Sequence, residues 1–358
     1  MTPDVVVVGG GAMGSAAAWS LARRGADVVL LERFTPGHTN GASHGASRIF
    51  RLAYAQPDYI RLARRALDLW RKLESETGRP LLDLTGGVDH GLLAPIEDIA
   101  GALDAEGVPG RWLRAEEASE RWPGLRFAGP VYFHPTSGRV HADNAVAALQ
   151  SAAAARGAVV RHETPVLSVT VRAENDVEVV TPAETLRARR VVVAAGAWTP
   201  SLLPGLLRVR VTQEQPAHFA PLDPALQWPS FIHHRPDLGV YGLATPGEGI
   251  KAGFHGTGPE VDPDHRNFAE EPVHAAQLRD YARHWLPGVD ADATTPISCT
   301  YTTTPTSDFV IDRTGPLVVL AGFSGHGFKF TPAIGELAAD LIAGARPLPR
   351  FRIHKTGR

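Results

Sequence analysis

The 358-residue sequence holds a single cysteine, Cys299. That excludes an internal disulfide framework and a zinc cluster built on several thiolates, and leaves one thiol whose chemistry must be argued from its surroundings. No metal site is expected. An unbroken apolar run of the length that crosses a bilayer is also missing, so no membrane segment is expected. Neither sign of charge dominates: 36 Lys and Arg face 38 Asp and Glu, a formal net charge of -2. With no basic excess to attract a phosphate backbone, nucleic acid is not an expected partner. The first strand begins at Asp4 without a basic region and cleavage signal ahead of it, from which a cytoplasmic location is expected. Internal repeats and low-complexity tails are absent too. What is present, 44% hydrophobic and 21% charged residues, suits a folded chain with room for two substantial cores.

The most legible local unit is the first. Asp4 opens a β-branched run, Val5 to Val8, which leads directly into Gly9-Gly-Gly11-Ala-Met-Gly14 and then into Ser15 to Arg24, rich in alanine. Strand, tight turn and helix are expected in that order. Gly9 suits the turn, Gly11 lets the backbone approach a pyrophosphate, and Gly14 allows close helix-to-strand packing, with the helix amino end favouring the anion. Glu32 follows a second apolar run, Val28 to Leu31, where its carboxylate suits an adenosine ribose. This contact does not choose between FAD and NAD, which share that group. The next segment, Pro36 to Ser47, is turn-rich and polar and ends in Arg48-Ile-Phe-Arg51. A nicotinamide half would more usually continue through another strand and helix, so this loop is a candidate flavin or substrate wall.

Beyond a helix expected over roughly Asp58 to Thr77, residues 81 to 135 do not repeat the nucleotide-binding pattern. Ala142 to Arg156 reads as a helix, Val166 to Val171 with Val177 to Thr181 as a hairpin, and Val191 to Val193 as a buried strand with Gly196 beyond its end. From Val209 a second strand-rich region begins, with further runs around Ser230 to Val240 and Gly249 to His255, read as an antiparallel sheet. Phe309 to Asp312 and Pro316 to Ala321 then read as strands before the glycine-rich Gly322 to Phe330 and a helix near Ala333 to Ile342.

Four elements together resemble the flavin amine oxidases that include monomeric sarcosine oxidase and N-methyltryptophan oxidase: the opening fingerprint, His38-Thr-Asn-Gly with His44-Gly-Ala-Ser-Arg48, Cys299-Thr-Tyr301, and Gly325-His-Gly-Phe-Lys329. The resemblance runs from Asp4 through that last loop. It implies an α/β fold, α+β overall. A Rossmann-like FAD-binding domain of the glutathione-reductase type would comprise residues 1–80, 136–206 and 296–358. A discontinuous antiparallel-sheet substrate domain would comprise 81–135 and 207–295.

The same resemblance implies FAD held through Gly9, Gly11, Ala12, Met13, Gly14, Glu32, Arg33, Ser43, Arg48, Val166, Gly196, Trp198, Gly325, His326, Gly327, Phe328 and Lys329. It also implies a thioether from Cys299 to the isoalloxazine; the residues alone allow Cys299 to be simply a small buried side chain. Lys251 is matched to the lysine that supports reaction with oxygen, where its ammonium would stabilise developing superoxide. Arg51 and Lys329 match carboxylate-recognising residues. Arg48 and His44 are expected beside the flavin, His44 either donating a hydrogen bond or tuning local charge. Tyr241, His255 and Tyr301 are expected to line the substrate pocket. Ala46 departs from the acidic residue of the nearest family patterns.

The reaction so implied is oxidation of a carboxylate-bearing secondary amine, such as sarcosine or another N-methyl amino acid. The imine product hydrolyses to an aldehyde and a less substituted amine, and oxygen is reduced to hydrogen peroxide. A monomer is expected. Two alternatives stay open: an amino-acid dehydrogenase passing electrons to another acceptor, and a non-catalytic flavin-binding sensor.

Overall fold

In the computed structural model, which describes residues 2–353, the first strand, Val5–Val8, lies at the centre of a six-stranded sheet. It pairs in parallel with Val28–Leu31 on one side and Arg190–Val193 on the other. Val159–Arg161 extends one edge, and Leu317–Ala321 followed by Val310–Thr314 extends the other; only that last pairing is antiparallel. All four residues of the central strand are buried, as its unbroken valine run requires of a strand covered on both faces. Side chains alternate, so Val5 and Val7 join a core with the helices, whereas Val6 and Val8 join a core beneath a three-stranded antiparallel sheet, Ser168–Ala173, Asp176–Val180 and Thr185–Ala188.

The helical face is built from Ala12–Ala22, Pro57–Thr77, Ala142–Ala154 and Thr331–Ile342. Ala12–Ala22 sits against both Ala142–Ala154 and Thr331–Ile342. Close approach is possible because small residues face one another: a Cβ on Gly335 would run into the Ala16 backbone. The helix begins at Ala12 rather than at Ser15, because the end of the glycine fingerprint is itself the first helical turn.

An eight-stranded sheet forms the other large element. Its order is Val289–Pro296, Ala217–Pro221, Gly249–Phe254, Val240–Thr245, Ser230–His234, Gly87–Gly91, Val131–His134 and Arg111–Leu113. It is not uniformly antiparallel as expected: Ser230–His234 runs parallel to Gly87–Gly91. These two strands come from segments far apart in the chain, so no hairpin fixes their relative direction. The expected run from Ser230 to Val240 is two strands with a turn between them. Helix Pro272–Trp285 closes a core on one face through Leu278, Tyr281 and Ala282, packed with Phe219 and Phe231. Arg210–Glu214 leaves this sheet and pairs instead with Cys299–Thr303. Among the described residues no helix is long and apolar enough to cross a membrane.

Candidate active site

The amino end of helix Ala12–Ala22 opens on a cavity of about 920 Å³. Gly9 adopts φ +100°, where an added Cβ would press on the Ala194 carbonyl, and a Cβ on Gly14 would overlap the Gly9 carbonyl. Glycine at these two positions is what lets the chain turn and the helix lie against the strand. The first helical turn carries no acidic residue and no side-chain cap from Gly11. Its Ala12 N–H donates to Ser43 Oγ at 3.0 Å. The positive end of the helix is therefore turned toward the cavity without a compensating charge of its own.

Glu32 lies in the same wall and is 6% exposed. Its Oε2 accepts from Gly10 N–H at 2.6 Å and its Oε1 from Phe34 N–H at 2.9 Å, with His38 Nε2 3.4 Å away. Burial alone would raise this carboxyl group, but His38 and the two backbone N–H groups hold it below the ordinary range. It stays ionised with acceptor capacity to spare. A glycine cradle, a bare helix end and a buried carboxylate in one cavity of this size fit FAD.

Gly9, Gly11, Ala12, Met13, Arg33, Ser43, Val166, Gly196, Trp198, Gly325, Gly327 and Phe328 also line this cavity. Gly14 lies behind the wall, where its part is packing. His326 and Lys329 are placed in the wall of a second cavity of about 450 Å³. Arg33 is exposed and pairs with Asp264 at 2.7 Å, and the same carboxylate accepts from Trp198 Nε1 at 2.8 Å. Asp264 thus carries the segment after Gly256 over one part of the cavity, a contact no local pattern signals.

The two cavities share Arg48, Cys299, Tyr301, Gly325 and Phe328 in their walls. Pairing with Arg210–Glu214 sets Cys299 opposite Glu214. The thiol is buried, with Arg48 Nη2 3.9 Å from its sulfur. Arg48 also donates to the carbonyls of Ser47 at 2.9 Å and Ala42 at 3.3 Å, so the polar loop is wrapped around its guanidinium. Gly325, at φ +75°, leaves room for the Tyr301 ring, into which a Cβ would project.

Lys251, in strand Gly249–Phe254, is only 6% exposed. Burial, reinforced by the Arg48 charge, pushes its ammonium down to about 7. His44 is buried with its Nε2 unpartnered among the described residues. Burial, then the Arg48 and Lys251 charges, take its pKa to about 3. The ring is therefore neutral at neutral pH, which leaves hydrogen bonding rather than charge as what it offers. Tyr241 and Tyr301 line the second cavity, and burial raises both phenols. His255 lines it too, its ring centroid 5.4 Å from that of Tyr301.

Lys329 and Arg51, expected as a matched pair of anion-binding groups, differ in state. Lys329 Nζ donates to the His326 carbonyl at 2.7 Å and to Tyr54 Oη at 3.0 Å, both neutral acceptors. Burial and the Arg51 charge press its ammonium well below the ordinary range. Arg51 is already paired: its Nη1 lies 2.9 Å from Asp89 Oδ1. Asp89 is fully buried and also bonds His134 Nε2 at 2.8 Å and His234 Nε2 at 2.7 Å. Sequence reasoning missed Asp89, His134, His234 and Tyr54. One signal was present: a carboxylate between Val88 and His90 in a short strand must find a buried partner.

The comparisons with known proteins agree along nearly the whole chain. A family model described as FAD dependent oxidoreductase matches residues 4–341. A monomeric sarcosine oxidase of Bacillus sp. (strain NS-129) is 34% identical over 358 residues, spanning 94% of this chain and 92% of its own. An N-methyl-L-tryptophan oxidase of Yersinia pestis (strain Pestoides F) is 32% identical over 367 residues, spanning 98% and 97%. Among solved structures, the open form of NikD, an unusual amino acid oxidase essential for nikkomycin biosynthesis, superposes with a TM-score of 0.87 at 31% identity, spanning 98% and 97%.

Proposed function

The chain belongs to the FAD dependent oxidoreductase family, and on that premise we propose that it is a flavoprotein amine oxidase for secondary amines bearing a carboxylate, N-methyl amino acids among them. The observation that carries this reading is the shared wall: a dinucleotide-sized cavity and a smaller one meet at Arg48, Cys299, Tyr301 and Gly325, with Lys329 and Arg51 in the smaller one. FAD would supply the two-electron acceptor that turns the amine into an imine, the two electrons and two protons passing to oxygen as hydrogen peroxide. Water adds to the imine, leaving an aldehyde and the less substituted amine.

The chain's own residues have separable parts in this scheme. The helix amino end and Glu32 would hold the pyrophosphate and adenosine ribose, and Cys299 would be the residue that holds the isoalloxazine by a thioether. Arg48 and His44 border the ring. Lys329 meets the substrate carboxylate, whose charge offsets the burial that disfavours the ammonium. Tyr241, Tyr301 and His255 enclose the amine and exclude water. Lys251 places a cation that can appear and vanish near neutral pH where oxygen is reduced, which favours an oxidase over a dehydrogenase. Cofactor binding is likewise assigned to residues 1–80, 136–206 and 296–358, of which residues 1 and 354–358 lie outside the described residues, and substrate binding to 81–135 and 207–295, in a monomer.

The test is an anaerobic panel of sarcosine, other N-methyl amino acids, cyclic imino acids and matched amines without a carboxylate, followed by oxygen. Bleaching of flavin absorbance only by carboxylate-bearing amines, then colour return with peroxide, is expected. Bleaching without rapid return identifies a dehydrogenase, and equal response to amines lacking the carboxylate removes the anchoring scheme.

A further inference from the structure

The substrate side of the smaller cavity holds a charge cluster that the proposed reaction does not use. Asp89, His134 and His234 come from three adjacent strands of the eight-stranded sheet, Gly87–Gly91, Val131–His134 and Ser230–His234. His134 is cross-strand from Gly87, and His234 from Gly91, so with the two-residue alternation all three side chains rise from one face. Val88, one position over, points to the opposite face and into the core with Phe219 and Phe231. His134 also bonds Ser137 through Nδ1. The Ser137, His134 and Asp89 side chains are 0 to 3% exposed, so this chain of groups is a closed hydrogen-bond network with no path for a substrate to reach Ser137. Its open edge is elsewhere: Arg51 and His234 both line the cavity, and Asp89 stands behind them.

Burial disfavours an ionised Asp89, yet the Arg51 charge and the two histidine bonds hold its carboxyl group well below the ordinary range. Arg51 in turn is fully charged. The pair is therefore neutral as a unit, and Lys329, whose hydrogen-bond partners are uncharged, is left to meet an anion. We propose that Asp89 is the positioning and specificity-determining residue of this cavity: it fixes and neutralises Arg51, so that the site matches one carboxylate and disfavours a second. The cavity is walled in part by Tyr54, Tyr59, Ile232 and Tyr241, which offer a second carboxylate no positive charge. The preferred substrate class is accordingly an N-substituted amino monocarboxylate with an uncharged side chain. This substrate class rests on the amine-oxidation reading; the charge selection does not.

The test titrates the holoenzyme with 3-methylbutanoate and with succinate, ligands of similar size and one or two charges, following the flavin absorbance. Wild type binds the monocarboxylate more tightly. Asp89→Asn exposes an uncompensated Arg51 and shifts the ratio of dissociation constants toward succinate by about tenfold or more, the scale of one added charge in a partly buried site. Arg51→Gln, which leaves Asp89 unbalanced, shifts the ratio the other way and keeps the proposal testable should the first variant fail to fold. The double variant Asp89→Asn with Arg51→Gln returns the ratio toward the wild-type value. Parallel loss of both ligands in the single variants, with the ratio unmoved, shows a merely structural Asp89 and overturns the proposal. So does a wild-type preference for succinate, or a double variant that keeps the shift of the first. Absence of any carboxylate binding to wild type removes the anchoring scheme as well. Since no turnover is needed, a protein that oxidises no amine but shows these ratios loses only the oxidation reading.

Discussion

Replacing Lys251 by methionine should stabilise the protein while damaging it as an oxidase. The buried ammonium is pushed from its ordinary 10.5 down to about 7, and one unit corresponds to about 1.4 kcal/mol. Keeping this lysine inside thus costs about 5 kcal/mol wherever it is charged in both the folded and the unfolded chain. The folded value lies below the unfolded one, so folding releases a proton between them. The cost is full below pH 7 and fades as the pH rises toward 10.5. Methionine retains the apolar stem and removes the charge. The variant should gain about 4 kcal/mol at pH 7 and about 2 kcal/mol at pH 9, read from urea unfolding of matched holoproteins at the two pH values. No gain at pH 7, or a gain that does not shrink by pH 9, refutes the buried-charge reasoning. In the same variant, return of flavin colour with oxygen should slow far more than anaerobic bleaching by amine. The wild-type oxygen step should weaken as pH rises through about 7, a limb the variant lacks. A residue that costs stability and serves only the oxygen step is retained for function. Equal slowing of both half-reactions takes that role away from Lys251.

Two further variants probe the cofactor cavity. Cys299→Ser should fold and bind flavin but release it on acid precipitation, whereas wild type retains it in the pellet; flavin still attached in the variant removes the thioether assignment. Gly14→Ala drives a Cβ into the Gly9 carbonyl and should yield protein with little flavin and a lowered melting temperature. A variant with full flavin content and unchanged melting shows that the helix can move away from the strand at little cost.

The opening unit was legible because its causes are local. A valine run favours a strand, glycines at positions 9 and 14 admit the turn and the close approach, and alanines propagate the helix within a few residues of one another. Glu32 could be read for the same reason, lying at the end of the neighbouring strand. Even here the sequence pattern points to a helix start three residues late, since a fingerprint read for its turn hides the fact that Ala12 to Gly14 are already helical. The motifs around His44, Cys299 and Gly325 were visible as strings, but nothing local says that they border one space.

Residue types, the strand-turn-helix order and the absence of a thiol framework belong to the sequence alone. Tertiary structure decided which charges are free. Arg51 and Lys251 are legible in the sequence as cations, but that Asp89 of strand Gly87–Gly91 lies 2.9 Å from Arg51, and that burial lowers the Lys251 pKa to about 7, only the fold decides. Backbone preference is fixed by neighbours in the chain, whereas the charge state of a buried group is fixed by its neighbours in space. Those neighbours come from strand pairings such as Gly87–Gly91 with Ser230–His234, which join distant segments and whose direction no local pattern encodes.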